Sequence, residues 1–248
     1  VYGLPKQTPD AFDRNLDEVS RLRPDRLALY SFAYVPWQKG HQKRLPLADL
    51  PDAHAKLALH RRARERLLAE GYEAIGLDHF ALPDDPLAQA ARSGRLRRTF
   101  MGYTTQQSPE LVALGISGIS ELTAGFFQNA KKLSTYHAMI DRGELPVERG
   151  RLLDDDDRIR RDVIAQLMCN FRVDKVAVGN AFGVAFDRYF ADARPALDEM
   201  VAAGAIDETP TSITMKSAAR LLVRNVCMAF DRYLARPTEK GPVFSRTI

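Results

Sequence analysis

Apolar positions in the first 142 residues alternate between a helical and an extended rhythm. Thr8-Pro9 predicts a helix start, with Thr as N-cap and Pro in the first turn. Phe12, Leu16, Val19 and Leu22 then share one helical face. Arg26–Phe32 (RLALYSF) predicts a buried strand. A loop through Pro36, Gly40 and Pro46 leads to a helix from Pro51, ended by Gly71. Tyr72–Phe80 predicts the next strand. An irregular stretch of about 30 residues follows, and loops of that length are often functional. Val112–Ser120 predicts another strand, and Lys131–Arg142 a helix with Leu133, Tyr136 and Ile140 inward.

Strands separated by helices or long loops predict parallel βα units. The strands are too few to close a barrel of eight. The opening Val1-Tyr2-Gly3-Leu4-Pro5 reads as a strand already running into a loop, so an upstream half is expected to precede it. Around Gly150 the pattern turns helical. Asp154–Asp157 suits a helix start, where carboxylates face the positive end of the dipole. Ile159, Val163, Ile164, Leu167, Met168 and Phe171 form an apolar stripe, and further helices run to Ala203 with Gly204 as the stop. Ala205–Asp207 and Ser212–Met215 predict a hairpin, and a last long helix from Lys216 carries Leu222, Val226, Phe230 and Leu234. The expected class is α/β: the C-terminal half of a partial parallel βα (TIM-like) barrel over 1–148, then a mostly helical, winged-helix-like domain over 149–248.

Composition narrows the function classes. The 248 residues are 45% hydrophobic and 27% charged, with no apolar run long enough to span a membrane. The two cysteines, Cys169 and Cys227, exclude a disulfide scaffold and fit a reducing cytoplasm. Net charge is only +4, and the last predicted helix carries Lys216, Arg220, Arg224 and Arg232 dispersed around a wide apolar face. That argues against nucleic-acid binding by a winged helix.

Candidate chemistry gathers where parallel βα folds place ligands, at the carboxyl ends of strands. These positions are Gly3–Thr8, Ala33-Tyr34, Asp78-His79-Phe80 and Ser117–Ser120. Asp78-His79 reads as an acid–base pair, a metal ligand or a structural hydrogen bond, and Ile119 by itself reads as core. The segment Arg97–Gln106 offers guanidinium, hydroxyl, amide and aromatic groups suited to lining a pocket, or to a solvated loop. Arg160-Arg161 reads as a solvated helix edge or as a bidentate carboxylate clamp. The phosphate-binding Gly-x-x-x-x-Gly-Lys loop, the Gly-x-Gly-x-x-Gly turn, His-Glu-x-x-His and Cys-x-x-Cys are absent from the sequence.

Longer segments carry more. The succession VYGLPKQT, PDRLALYSFAYVP, GYEAIGLDHFALPDDPLA, LRRTFMGYTTQ, LGISGIS, DDRIRRDVIAQLMCNFRVD, LLVRNVCMAFDRYL and FSRTI resembles the oxygen-independent coproporphyrinogen III oxidase (coproporphyrinogen dehydrogenase) family, in order and spacing along the whole chain. The resemblance implies radical S-adenosylmethionine chemistry in haem biosynthesis. An iron–sulfur (4Fe-4S) cluster held by three closely spaced cysteines cleaves S-adenosylmethionine, and the resulting radical takes hydrogen from substrate propionates. Two propionates of coproporphyrinogen III then become vinyls, giving protoporphyrinogen IX. The three-cysteine motif is not in this sequence, so the resemblance implies a C-terminal part whose cluster ligands lie upstream and which alone is inactive.

The resemblance also implies S-adenosylmethionine contacts at Ala33 in SFAYVP, Phe100, Met101 and Ile119 in GISGIS. Met101 stands where a Gln is common in the family. A flavodoxin or ferredoxin is the expected electron donor. A haem-binding chaperone of the same superfamily is the alternative, distinguished by haem retention without turnover. For the substrate carboxylates, Arg160 is the expected clamp because it falls near the stripe of Ile159, Val163 and Ile164, with Arg161 nearer solvent. A salt bridge from Arg160 to Asp156 or Asp157 is the competing reading.

Overall fold

The computed structural model describes residues 1–234, so the closing FSRTI stretch lies outside the described residues. Two compact units part at Ser93–Gly94: Val1–Ser93, joined by Tyr233 and Leu234, and Gly94–Arg232.

In the first unit, α1 (Pro9–Leu22) starts as the sequence predicts, with Thr8 Oγ1 accepting from the Ala11 amide at 3.2 Å. Its Phe12 and Leu16 pack with Tyr2, Leu29, Leu59, Ala63 and Leu67. Leu22 is exposed instead, because the helix ends there and Arg23 turns into the left-handed region. β1 (Arg26–Ala28) is followed by the Asp52-capped α2 (Ala53–Ala69). The expected strand Tyr72–Phe80 is a hairpin, β2 (Glu73–Gly76) and β3 (His79–Ala81), because Leu77 takes a positive φ of 43° and reverses the chain. α3 (Pro86–Arg92) closes the unit.

That hairpin changes the sheet. β3 lies between β1 and β2, antiparallel to both. All strand ladders of the described residues are antiparallel, and the expected parallel βα pairing is reduced to a bridge between Tyr2 and Ser31. The Tyr2 amide donates to the Tyr30 carbonyl at 2.9 Å, and the Phe32 amide to the Tyr2 carbonyl at 2.8 Å.

The second unit begins with the β4 (Arg97–Thr99) and β5 (Gly102–Thr104) hairpin. The expected strand Val112–Ser120 is mostly a turn, since Gly115 and Ser117 have φ of 90° and 56°. Only β6 (Ile119–Leu122) is extended; it pairs with β7 (Gly125–Asn129), which pairs with β8 (Val147–Leu152) beyond α4 (Leu133–Asp141). The expected inward face of α4 is not buried: Leu133 and Ile140 are exposed, and Tyr136 is only half-buried, its hydroxyl accepting from the Gly115 amide at 3.2 Å.

α5 (Asp155–Asn170) follows the aspartate run. Asp154 and Asp157 exchange side-chain-to-amide hydrogen bonds at 2.8 and 3.2 Å in a capping box. Next come β9 (Arg172–Asp174), α6 (Lys175–Phe182), α7 (Phe186–Tyr189) and α8 (Arg194–Ala202). The predicted hairpin is present as β10 (Ile206–Glu208) and β11 (Ser212–Met215), with β9 added to its edge. The predicted long last helix is not continuous. A 3-10 turn over Ser217–Leu222 precedes a short α9 (Val223–Met228). Val223, Val226 and Phe230 are buried whereas Leu221 and Leu222 are exposed, so a longer α-helix would gain little burial at its start.

Candidate functional site

A cavity of about 800 Å³ lies within the second unit. α5 forms one wall. Its apolar stripe divides: Ile159, Val163 and Leu167 enter the core, while Ile164 and Met168 line the cavity. β4 and the residues before it form a second wall with Arg95, Arg97 and Arg98, followed by Phe100. α9 adds Arg224, Cys227 and Met228, and the β6–β7 hairpin adds Glu121 and Phe126. The Tyr103 hydroxyl donates to the Met168 carbonyl at 2.8 Å and ties β5 to α5. Thus the segment before Tyr103 lines the cavity, whereas Tyr103 is a buried tie.

Five arginines (Arg95, Arg97, Arg98, Arg161, Arg224) face three carboxylates (Glu121, Asp162, Asp231) around this space. Arg161 is paired with Glu121, and its guanidinium lies 5.0 Å from the Phe126 ring centroid. Phe126 in turn meets Phe100 edge-on, with centroids 5.4 Å apart. Arg98 lies over the Tyr103 ring at 5.7 Å. Arg97, Arg98 and Arg224 make no salt bridge among the described residues. The cavity therefore carries positive charge that its own walls do not neutralise, which suits a carboxylate ligand.

Arg160, the expected clamp, does not line the cavity. Its Nε donates to Asp156 at 3.0 Å, Nη1 to the Phe230 carbonyl at 3.2 Å and Nη2 to Asp192 at 2.8 Å. Its guanidinium also covers the Phe190 ring at 5.4 Å. All three guanidinium nitrogens are engaged inside the unit, as the competing salt-bridge reading has it. Burial disfavours the Arg160 charge, but the bonds to Asp156 and Asp192 outweigh it and hold its pKa up. Arg161, expected nearer solvent, is the member of the pair that reaches the cavity.

Asp156 is the hub of that network. It also accepts from the Tyr189 hydroxyl at 2.6 Å and from Arg232 at 2.5 Å. Partial burial opposes its ionisation, yet these donors keep its carboxyl below the usual range. Tyr189 is pushed up to about 12 by burial and by donating to Asp156. Burial likewise pushes the Cys169 thiol up to about 11, and Cys227 to about 12 with the charge of Cys169 adding to it.

The other expected contacts fall in different places. Ala33 belongs to the first unit, exposed on a loop held by buried Gln42, whose Nε2 donates to the Ala33 carbonyl at 3.0 Å and whose Oε1 accepts from the Val35 amide at 2.6 Å. In the second unit Phe100 is 58% exposed and Met101 88% exposed. Ile119 is half-buried opposite Gln128 in the β6–β7 ladder. Only Phe100 of these lines the cavity. Asp78 and His79 are joined by a 2.8 Å hydrogen bond on the β2–β3 hairpin of the first unit. No group of three His, Cys, Asp or Glu converges among the described residues, and no described helix is long and apolar enough to cross a membrane. The sequence does not single out Arg224 or place Arg161 rather than Arg160 on the cavity wall; the LRRTF motif is the available signal for Arg97 and Arg98.

Comparison with known proteins gives the context. Residues 153–222 match the family model described as the HemN C-terminal domain. The chain is 45% identical over its whole length to the oxygen-independent coproporphyrinogen III oxidase of Pseudomonas aeruginosa, covering 54% of that protein. It is 42% identical to the protein of the same name from Thermostichus vulcanus, covering all of this chain and 76% of that one. The solved structure described as "Coproporphyrinogen III oxidase (HemN) from Escherichia coli is a Radical SAM enzyme" superimposes with a TM-score of 0.90 at 41% identity, over 94% of this chain and 54% of that one. The chain thus shares that fold over most of its length, and spans about half the length of several relatives it matches. On the identity to the Thermostichus vulcanus protein and the share of it that is covered, the chain belongs to the oxygen-independent coproporphyrinogen III oxidase family.

Proposed function

We propose that the chain forms the C-terminal part of a radical S-adenosylmethionine enzyme that oxidatively decarboxylates two propionates of coproporphyrinogen III, and that the second-unit cavity holds propionate carboxylates. The observation that carries this reading is the set Arg97, Arg98 and Arg224, which face one cavity without salt-bridge partners among the described residues. A substrate bearing several carboxylates and a broad apolar ring matches a space walled by guanidinium groups, Phe100, Ile164 and Met168. Arg161, braced by Glu121 and Phe126, fixes one wall of that space.

Ala33, Phe100, Met101 and Ile119 are the chain's proposed contacts to S-adenosylmethionine. The fit rests on apolar side chains left exposed, Phe100 and Met101 above all. The Ala33 carbonyl is already taken by Gln42, which leaves its methyl for close contact. The 4Fe-4S cluster does not fit the thiols present: Cys169 and Cys227 are the chain's two cysteines, and three thiolates are required. When bound at these residues, S-adenosylmethionine would supply the hydrogen-abstraction chemistry, with a flavodoxin or ferredoxin as the proposed electron donor. The chain's own residues hold the substrate anions.

The test is an anaerobic assay of a family-length protein containing this chain, with coproporphyrinogen III, reductant and S-adenosylmethionine. Formation of protoporphyrinogen IX is expected. Tight retention of haem without turnover would instead establish the chaperone reading.

A further inference from the structure

We propose that Cys169 and Cys227, with the thioethers beside them, form a binding site for a soft monovalent metal ion. Met168-Cys169 lies near the end of α5, and Cys227-Met228 ends α9. These two helices pack together, and all four sulfur-bearing residues line the same cavity. Both thiols are buried and free, and a charge on Cys169 is felt at Cys227. Soft thiolate and thioether donors select Cu(I) over hard ions.

Charge selects the valence. Two thiolates on a monovalent ion leave one negative charge, and Arg97, Arg98 and Arg224, which make no salt bridge among the described residues, line the same cavity. Burial raises both thiols, Cys169 to about 11 and Cys227 to about 12; Arg98 and Arg97 at Cys169 and Arg224 at Cys227 oppose that rise in part, so the ion itself must displace the protons. A divalent ion such as Zn(II) calls for four nitrogen, oxygen or thiolate ligands, and no such set converges among the described residues. Binding is a simple exchange: two S–H protons pass to solvent as two Cu–S bonds form, and no electron is transferred. The site does not rest on the porphyrinogen reading, although its arginines are shared with the proposed propionate pocket.

The full 248-residue chain is titrated anaerobically with Cu(I) buffered by bicinchoninate. Because the chain has two cysteines, thiolate-bound copper reports on this pair. One Cu(I) per chain is expected, weakened by roughly 100-fold or more in Cys169→Ser and in Cys227→Ser, at or beyond the upper end of what outer partners of a metal contribute. Cys227→Ala and far-UV circular dichroism separate ligand loss from unfolding, and X-ray absorption of the wild-type complex is expected to show sulfur scatterers alone. Wild-type affinity in the double serine variant overturns the proposal, as does a nitrogen or oxygen shell, or the absence of binding in the folded chain.

Discussion

The Arg160 guanidinium donates to Asp192 at 2.8 Å, fastening α5 to the turn that leads into α8. Asp156, Tyr189, Phe190, Phe230 and Arg232 complete the arrangement. Arg160 is a side chain only 12% exposed, so its removal leaves carboxylates stripped of a buried partner. Arg160→Ala is expected to lower the stability of the second unit by about 3 kcal/mol. Urea unfolding at neutral pH measures this; a change under about 0.5 kcal/mol, the range of ordinary surface substitutions, would show that the network is idle.

His60 gives the first unit a pH dependence. It is 4% exposed, its Nδ1 has no hydrogen-bond partner among the described residues, and burial followed by the charge of Arg64 lowers its pKa from 6.5. The folded ring therefore stays neutral while the unfolded ring takes up a proton below pH 6.5. Its contribution is complete above that pH and is lost as pH falls toward the folded pKa, by at most about 1.4 kcal/mol per pH unit. Urea midpoints at pH 7.5 and 5.5 are expected to separate in the wild type and to converge in His60→Gln. Equal separation in both proteins would assign the effect to other groups.

The β6–β8 sheet depends on Gly125. A Cβ there would collide with the Arg151 carbonyl on β8. Because β6 and β7 carry Glu121 and Phe126 to the cavity, the strain reaches the Arg161 wall. Gly125→Ala is expected to cost about 1–3 kcal/mol, seen as a lower thermal midpoint. An unchanged midpoint would mean that the strands part without cost.

The sequence signals that succeeded were those carried by neighbouring residues. Thr8-Pro9 and Asp154–Asp157 mark helix starts through caps that close within three residues. The 206–215 hairpin likewise follows from its own turn. The errors came where one backbone angle or a distant partner decides. Leu77 at φ 43° folds an apparent strand into a hairpin, although leucine gives no hint of a left-handed turn. Arg160 and Arg161 are adjacent and chemically identical; their fates separate only because Phe190, Phe230 and Asp192, all remote in sequence, surround the first. A helical wheel places the pair on the helix but carries no information about what the helix meets.

In the proposed function the arginine-lined cavity holds substrate propionates. Fluorescence quenching with coproporphyrin III, the stable oxidised counterpart of the substrate, tests it on the chain itself. The account predicts that the triple variant Arg97→Gln, Arg98→Gln, Arg224→Gln binds at least about tenfold more weakly, a loss of about 1.4 kcal/mol, with unchanged circular dichroism. It also predicts that added salt weakens wild-type binding more than that of the variant. Equal affinity and equal salt dependence in the two folded proteins would contradict it.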